Sequence, residues 1–229
     1  MPLSSIGEMK MIHKAPICTV LTEEQQRALT PDQVLESLKE GNARFVNNDV
    51  TARDHNAQVR LAASGQFPKA MVLSCLDSRV PVEDVFDKGI GDIFVGRVAG
   101  NCVNEDLLGS MEYACKVAGA KLILVMGHEY CGAIRAAIDD VKLGNLTALL
   151  AKIRPIVLDS ANQFDGEPVS SNPAFVDLVA KNNVRHTVAQ IRKRSPILED
   201  LVQQGQIKIV GGYYDLDTAV VEFLDDRSV

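Results

Sequence analysis

Four short apolar runs, AMVLS at 70–74, IFV at 93–95, LILVM at 122–126 and IKIV at 207–210, alternate with helical patterns along the chain. Runs so short and so continuously apolar suit strands covered on both faces, because a half-exposed strand would carry a polar residue at every second position. Strands covered twice need helices on both sides of the sheet, and a helix between successive strands makes the connection parallel. The pattern therefore predicts an α/β fold, a mostly parallel central β-sheet flanked by helices. A chain of 229 residues has room for one such domain with a substantial core. In sheets of this kind functional side chains gather where strands end and loops turn into helices.

Residues 1–29 read as an N-terminal helical extension and residues 30–229 as a single domain. Thr30-Pro31-Asp32-Gln33 predicts a helix start, with Thr30 as N-cap, Pro31 in the first position and Gln33 closing a capping box. That helix is expected to reach about Phe45, with 47–69 irregular or short-helical. SANQFDGEPVSSNP at 160–173 reads as a loop, the stretch opened by Asn172 and Pro173 as a long helix to 194, and GGYYDLDTAVVEFL as a turn and a last strand. In EDLLGSMEYACKVA, residues Leu107, Leu108, Met111, Ala114, Cys115 and Ala118 form one stripe, while Tyr113, Val117 and Ser110 fall on the other side. Such a helix needs two surfaces to cover it, either both within the chain or one from another subunit.

The net charge of −6 and a pI near 5.3 argue against nucleic acid or an anionic membrane as partner. No apolar run approaches the roughly 20 residues that cross a bilayer, and the opening residues lack the apolar core of a signal peptide. Five cysteines, an odd number at uneven spacing, suit reduced thiols in the cytoplasm better than a disulfide framework.

SCLDSRV, at 74–80, ends a buried strand on a thiol and follows it with an acid and a base. After the strand LILVM comes GHEYCGA, which sets His128 and Cys131 three residues apart. Both segments lie at strand carboxyl ends, where loops after neighbouring parallel strands meet. Cys75, His128 and Cys131 then make a Cys2His set with a fourth position free, the pattern of catalytic rather than structural zinc. Thiolates with an imidazole favour zinc over magnesium or calcium. Asp77 beside Arg79 is expected to stay ionised and to orient a water at the metal; a structural ion pair is the alternative. Cys18, Cys102 and Cys115, and His13, His55 and His186, lack partners at short spacing and read as structural or surface residues.

With CLDSR at 75–79 and HEYC at 128–131, the chain resembles the β-class carbonic anhydrases. GDIFVGRVAGN at 91–101 and GSMEYA at 109–114 also look like that family. The resemblance implies one zinc ion per chain on Cys75, His128 and Cys131, an Asp77–Arg79 dyad, and reversible hydration of carbon dioxide to bicarbonate by a zinc-bound hydroxide. It also implies a conditional state in which Asp77 turns to become the fourth zinc ligand. Gln66, Phe94 and Tyr113 match substrate-pocket positions of the plant-type branch, with Ala99 and Gly132 beside them, and this implies a homodimer or a dimer-based tetramer whose subunits share the cleft. Ala99 stands where many plant-type members carry a bulkier Val. Two thiolate ligands weaken the metal as a Lewis acid, so activity is expected to climb on the alkaline side. Rival readings are a hydrolase of carbon disulfide or carbonyl sulfide on the same scaffold and a non-catalytic zinc-binding module. A cysteine phosphatase would need Arg at 81, where Pro stands, and the glycines of GIGDIFVG precede a strand where a dinucleotide loop would follow one.

Overall fold

The computed structural model describes residues 15–224, so His13 and half of the expected N-terminal extension lie outside the described residues. Helices α1 (Glu23–Ala28), α2 (Pro31–Val46) and α3 (His55–Ala62) precede the first strand, β1 (Ala70–Ser74). A short helix α4 (Val82–Val85) leads to β2 (Ile93–Arg97), and α5 (Glu105–Glu112) leads to β3 (Leu122–His128). Then follow α6 (Gly132–Ile138), α7 (Gly144–Leu150), α8 (Arg154–Gln163), α9 (Pro173–Arg194) and α10 (Pro196–Gln203), before β4 (Lys208–Tyr214) and β5 (Val221–Leu224).

The sheet order is β2-β1-β3-β4-β5, with the first four strands parallel and β5 antiparallel at the edge. Side chains alternate across it as a strand requires. Ala70, Val72, Leu122, Leu124 and Met126 face the layer of α2 and α4, while Met71, Leu73, Ile123 and Val125 face α9 and α10. Both β1 and β3 are buried along their whole length, which is why their sequences show apolar runs without polar alternation. The chain leaves β1 toward α4 on one face and leaves β3 toward α6 on the other. The carboxyl ends of β1 and β3 therefore bound a crevice, the place where open α/β sheets hold their ligands.

The predicted cap of α2 forms: Thr30 Oγ1 accepts from the Gln33 backbone at 3.2 Å and Gln33 Oε1 accepts from the Thr30 backbone at 2.9 Å. Helix α1 lies against the domain, where buried Gln26 donates to the carbonyls of Pro68 and Ala118 at 2.7 and 2.8 Å.

Three segments differ from expectation, each for a tertiary reason. Helix α8 runs into the expected loop as far as Gln163, because Ile156, Val157 and Ser160 are buried and Asn182 of α9 donates to Ser160 Oγ at 3.0 Å. Gly211 and Gly212, expected in a turn, continue β4, and at Gly211 a β-carbon would stand 2.8 Å from Val184 of α9. Their absent side chains let the helix approach the strand. The helix over 105–118 ends as a π-turn at Tyr113–Val117, in which the Ala118 N–H donates to Tyr113 O at 2.9 Å. Its stripe of Leu108, Met111, Ala114 and Cys115 is buried, but Tyr113 and Val117 are 53% and 72% exposed. The second face of that helix is thus left uncovered by the described residues.

Candidate metal centre

Parallel register sets the triad. Ser74 of β1 pairs with Met126 of β3, so the next residue, Cys75, comes level with Gly127 and one step from His128. Cys131 then closes the turn as the N-cap of α6. The ligand atoms of Cys75, His128 and Cys131 all lie within 4.8 Å of one another, and all three residues are buried. The two sulfurs are 4.0 Å apart, close to the roughly 3.8 Å that two sulfurs bound tetrahedrally to one zinc at about 2.3 Å would show.

Two observations show that this pocket suits a cation. His128 Nδ1 lies 2.8 Å from the carbonyl oxygen of Glu129, and must carry the proton to donate to it. That leaves Nε2 as a buried acceptor with no partner, which is the tautomer a metal ligand needs. The thiol pair is the second. Hydrogen bonding from Cys131, against the opposing cost of burial and with help from the Gly100 N–H, holds Cys75 well below the usual thiol range. Its anion, together with burial, pushes Cys131 strongly upward. The pair therefore holds one proton between them, and a second negative charge this close needs a positive ion.

Asp77 and Arg79 flank the triad. The Arg79 side chain donates through Nε and Nη2 to both carboxylate oxygens of Asp77, at 3.0 and 2.8 Å, and its backbone N–H donates at 2.9 Å. Those bonds, over the opposing effect of burial, hold Asp77 down to about 2. Asp77 Oδ2 lies 3.9 Å from His128 Nε2, so the carboxylate borders the space that the imidazole nitrogen faces. Arg79 Nη2 also reaches the carbonyl of Tyr130 at 3.3 Å and ties the two ligand-bearing loops together.

Of the remaining expected positions, Gly132 directly follows Cys131 and Ala99 directly precedes Gly100, while Gln66, Phe94 and Tyr113 stand on other segments. Gln66 is exposed in the turn before β1, Gly132 is exposed at the start of α6, and Ala99 is half-buried in the 3-10 turn after β2. Phe94 and Tyr113 meet edge to face, with centroids 6.3 Å apart. They line a cleft of about 630 Å³ along β2 and α5. Phe94 pairs with Met71, four residues before Cys75, and at about 3.3 Å per residue that is roughly 13 Å along the sheet from the triad.

Arg97 was not singled out by the sequence pattern. Its Nε donates to the Cys75 carbonyl at 3.0 Å and its Nη2 to the Asp77 carbonyl at 2.6 Å, bracing the loop that carries both. Its place at the end of β2, beside β1, is the one local signal that could have marked it.

A family model described as carbonic anhydrase matches residues 70–221. Carbonic anhydrase 2 of Mycobacterium tuberculosis is 37% identical over 196 residues, covering 82% of this chain and 89% of that protein. A carbonic anhydrase of Mycolicibacterium smegmatis is 34% identical, over 84% of this chain and 92% of its own length. Among solved structures, Coccomyxa β-carbonic anhydrase in complex with acetazolamide superposes with a TM-score of 0.66 at 27% identity, covering 83% of this chain and 84% of that one. A β-carbonic anhydrase of Aspergillus fumigatus shares the fold with a TM-score of 0.68 at 23% identity, over 86% of this chain and 92% of that one.

Proposed function

We propose, for a chain that belongs to the β-class carbonic anhydrase family and is a carbonic anhydrase, that Cys75, His128 and Cys131 hold one zinc ion and that carbon dioxide is hydrated reversibly to bicarbonate beside it. The observation that carries this reading is the buried Cys2His set, whose inward imidazole nitrogen has no partner of its own. Zinc, when bound, supplies the Lewis acidity that makes water a nucleophile at neutral pH.

The protein's own groups do the rest. Asp77, kept ionised by Arg79, can only accept a hydrogen bond, so it turns a water's proton toward itself and the water's lone pair toward the substrate. Both carboxylate oxygens accept from Arg79, an arrangement that supports a resting position of Asp77 beside the zinc rather than as its ligand, the closed state requiring Arg79 to let go. Carbon dioxide is small and uncharged, and needs a mostly apolar wall with one or two donors. Phe94, Tyr113 and Gln66 are the plant-type wall and donor, and their distance from the triad within one chain supports a pocket completed across a homodimer by a second copy. Ala99 and Gly132 leave room on the near side. The proton shuttle could be His13, which lies outside the described residues, or His55, exposed in the first turn of α3. Among the described residues no helix is long and apolar enough to cross a membrane. The five free thiols support a reducing, cytoplasmic setting.

Stopped-flow hydration of carbon dioxide, run across pH beside zinc content per chain, tests the proposal. Cys131→Ser is expected to lower both zinc and turnover. Asp77→Asn is expected to keep zinc and slow turnover by about 10–100-fold. Equal zinc loss in Asp77→Asn would make the carboxylate a ligand instead. A zinc-loaded enzyme that ignores carbon dioxide but hydrolyses carbonyl sulfide would move the chain to the sulfur-analogue reading.

A further inference from the structure

We propose that Asn183, on the long helix α9, is a positioning residue of the metal centre that seats the Cys75 arm through the backbone of Gly100; this rests on the zinc reading above. Asn183 is 1% exposed, and Val179, Ala180 and Val184 of the same helix are buried around it. A carboxamide does not sit in such a wall without a partner. Its Nδ2 donates to the Gly100 carbonyl at 2.8 Å. The Gly100 N–H in turn donates to Cys75 Sγ at 3.4 Å, and a hydrogen bond to sulfur favours the thiolate a metal needs.

Gly100 has little freedom to find this place unaided. It sits at φ 69°, ψ 20°, where residues with a side chain are strained. A β-carbon there would stand 2.6 Å from Ile153. One side of the turn is thus closed by Ile153 and the other is tied by Asn183. Cys102 Sγ, the other donor to the Gly100 carbonyl, is at 3.4 Å and is a weak one. The next residue of α9, Val184, packs over Gly127, whose β-carbon would fall 2.7 Å from it, directly before His128. A single turn of α9 therefore touches both the turn that donates to Cys75 and the strand end before His128, and the polar half of that contact is Asn183. Removing it frees the Gly100 carbonyl, loosens the turn and takes a defined donor away from Cys75. Zinc retention falls even though no ligand has changed.

The full chain with Asn183→Leu, alike in the branching of its side chain but unable to donate, tests this by competition for zinc against a chromophoric chelator. The cobalt-substituted forms are compared by their thiolate-to-metal charge-transfer absorption. The expected result is about tenfold weaker zinc binding with an altered cobalt spectrum. Val188→Ala, buried on the same helix, serves as control and is expected to lower the melting temperature while leaving both readouts unchanged. Wild-type affinity and spectrum in Asn183→Leu would overturn the proposal, as would an equal loss in Val188→Ala. If Asn183→Leu does not fold, Asn183→Ala, which removes the donor without adding bulk, is judged by the same two outcomes. Wild-type protein that binds no zinc would sink the metal reading itself, and this inference with it.

Discussion

Two sulfurs 4.0 Å apart in a buried pocket do not both ionise unless a cation joins them. Their mutual hydrogen bond holds Cys75 down and pushes Cys131 up, so Cys75 is the more readily ionised of the two. Cys102 and Cys115 are the contrast. Burial pushes each up to about 12, so they stay protonated and inert. This predicts an order of reactivity that needs no assay of turnover. After chelation of the metal, an alkylating agent at neutral pH is expected to label exposed Cys18 and then Cys75, with Cys102 and Cys115 last. Restoring zinc is expected to protect Cys75 while Cys18 stays reactive. Peptide mapping by mass spectrometry reads this directly, and labelling of Cys115 ahead of Cys75 would contradict it.

Elements are held in place by a second charged cluster, away from the metal. Asp87, its side chain 1% exposed, pairs with Arg44 of α2 at 2.5 Å and with Arg53 of the segment before α3 at 2.5 Å. Thr51 adds a bond from its hydroxyl at 2.7 Å. Burial raises the pKa of Asp87, but the bonds from Arg53, Thr51 and Arg44 outweigh it and bring the carboxyl down to about 2. A folded-state value below the usual carboxylate value of about 3.9 means stability that is full above that value and is lost as pH falls through it toward 2. The melting temperature is therefore expected to drop steeply below about pH 4 in the wild type. Asp87→Asn leaves two guanidinium groups facing a neutral amide, and is expected to cost about 3 kcal/mol at neutral pH. Because it has no carboxylate to protonate, its melting temperature is expected to change less between pH 5 and pH 3. Thermal melts at both values check the sign, and an equal acid loss in the variant would place the sensitive carboxylate elsewhere.

At the scale of the whole molecule the sheet is finished on one side and unfinished on the other. Antiparallel β5 closes the β4 side, whereas β2 is a half-buried edge strand beside the cleft that Phe94 and Tyr113 line. An edge strand next to exposed Tyr113 and Val117 is a surface that proteins cover with another chain. A homodimer through this face would bury both residues and bring two aromatic rings toward each metal pocket. Val117→Glu is expected to shift the protein toward monomer in sedimentation velocity and to lower carbon dioxide hydration. Zinc content should stay that of the wild type, because Cys75, His128 and Cys131 all come from one chain. A fully active monomer would show that the pocket needs no partner.

The apolar runs at 70–74 and 122–126 told the sheet directly, because strands covered on both faces need nothing but apolar residues. The cap at Thr30 was equally local, being built from four neighbouring residues. Cys75 and His128 could be named because each follows such a run, and Cys131 because it stands three residues after His128. What the chain order alone did not hold was everything that depends on distant residues meeting. The extension of α8 over polar residues, the passage of β4 through Gly211 and the brace from Arg97 all come from contacts between separate elements. So does the tie from Asn183 to Gly100, which joins residues 83 positions apart. Periodicity and capping act over a few residues and are written in order. The spacing of the two loops that carry Cys75, His128 and Cys131 is decided by how the elements behind them pack.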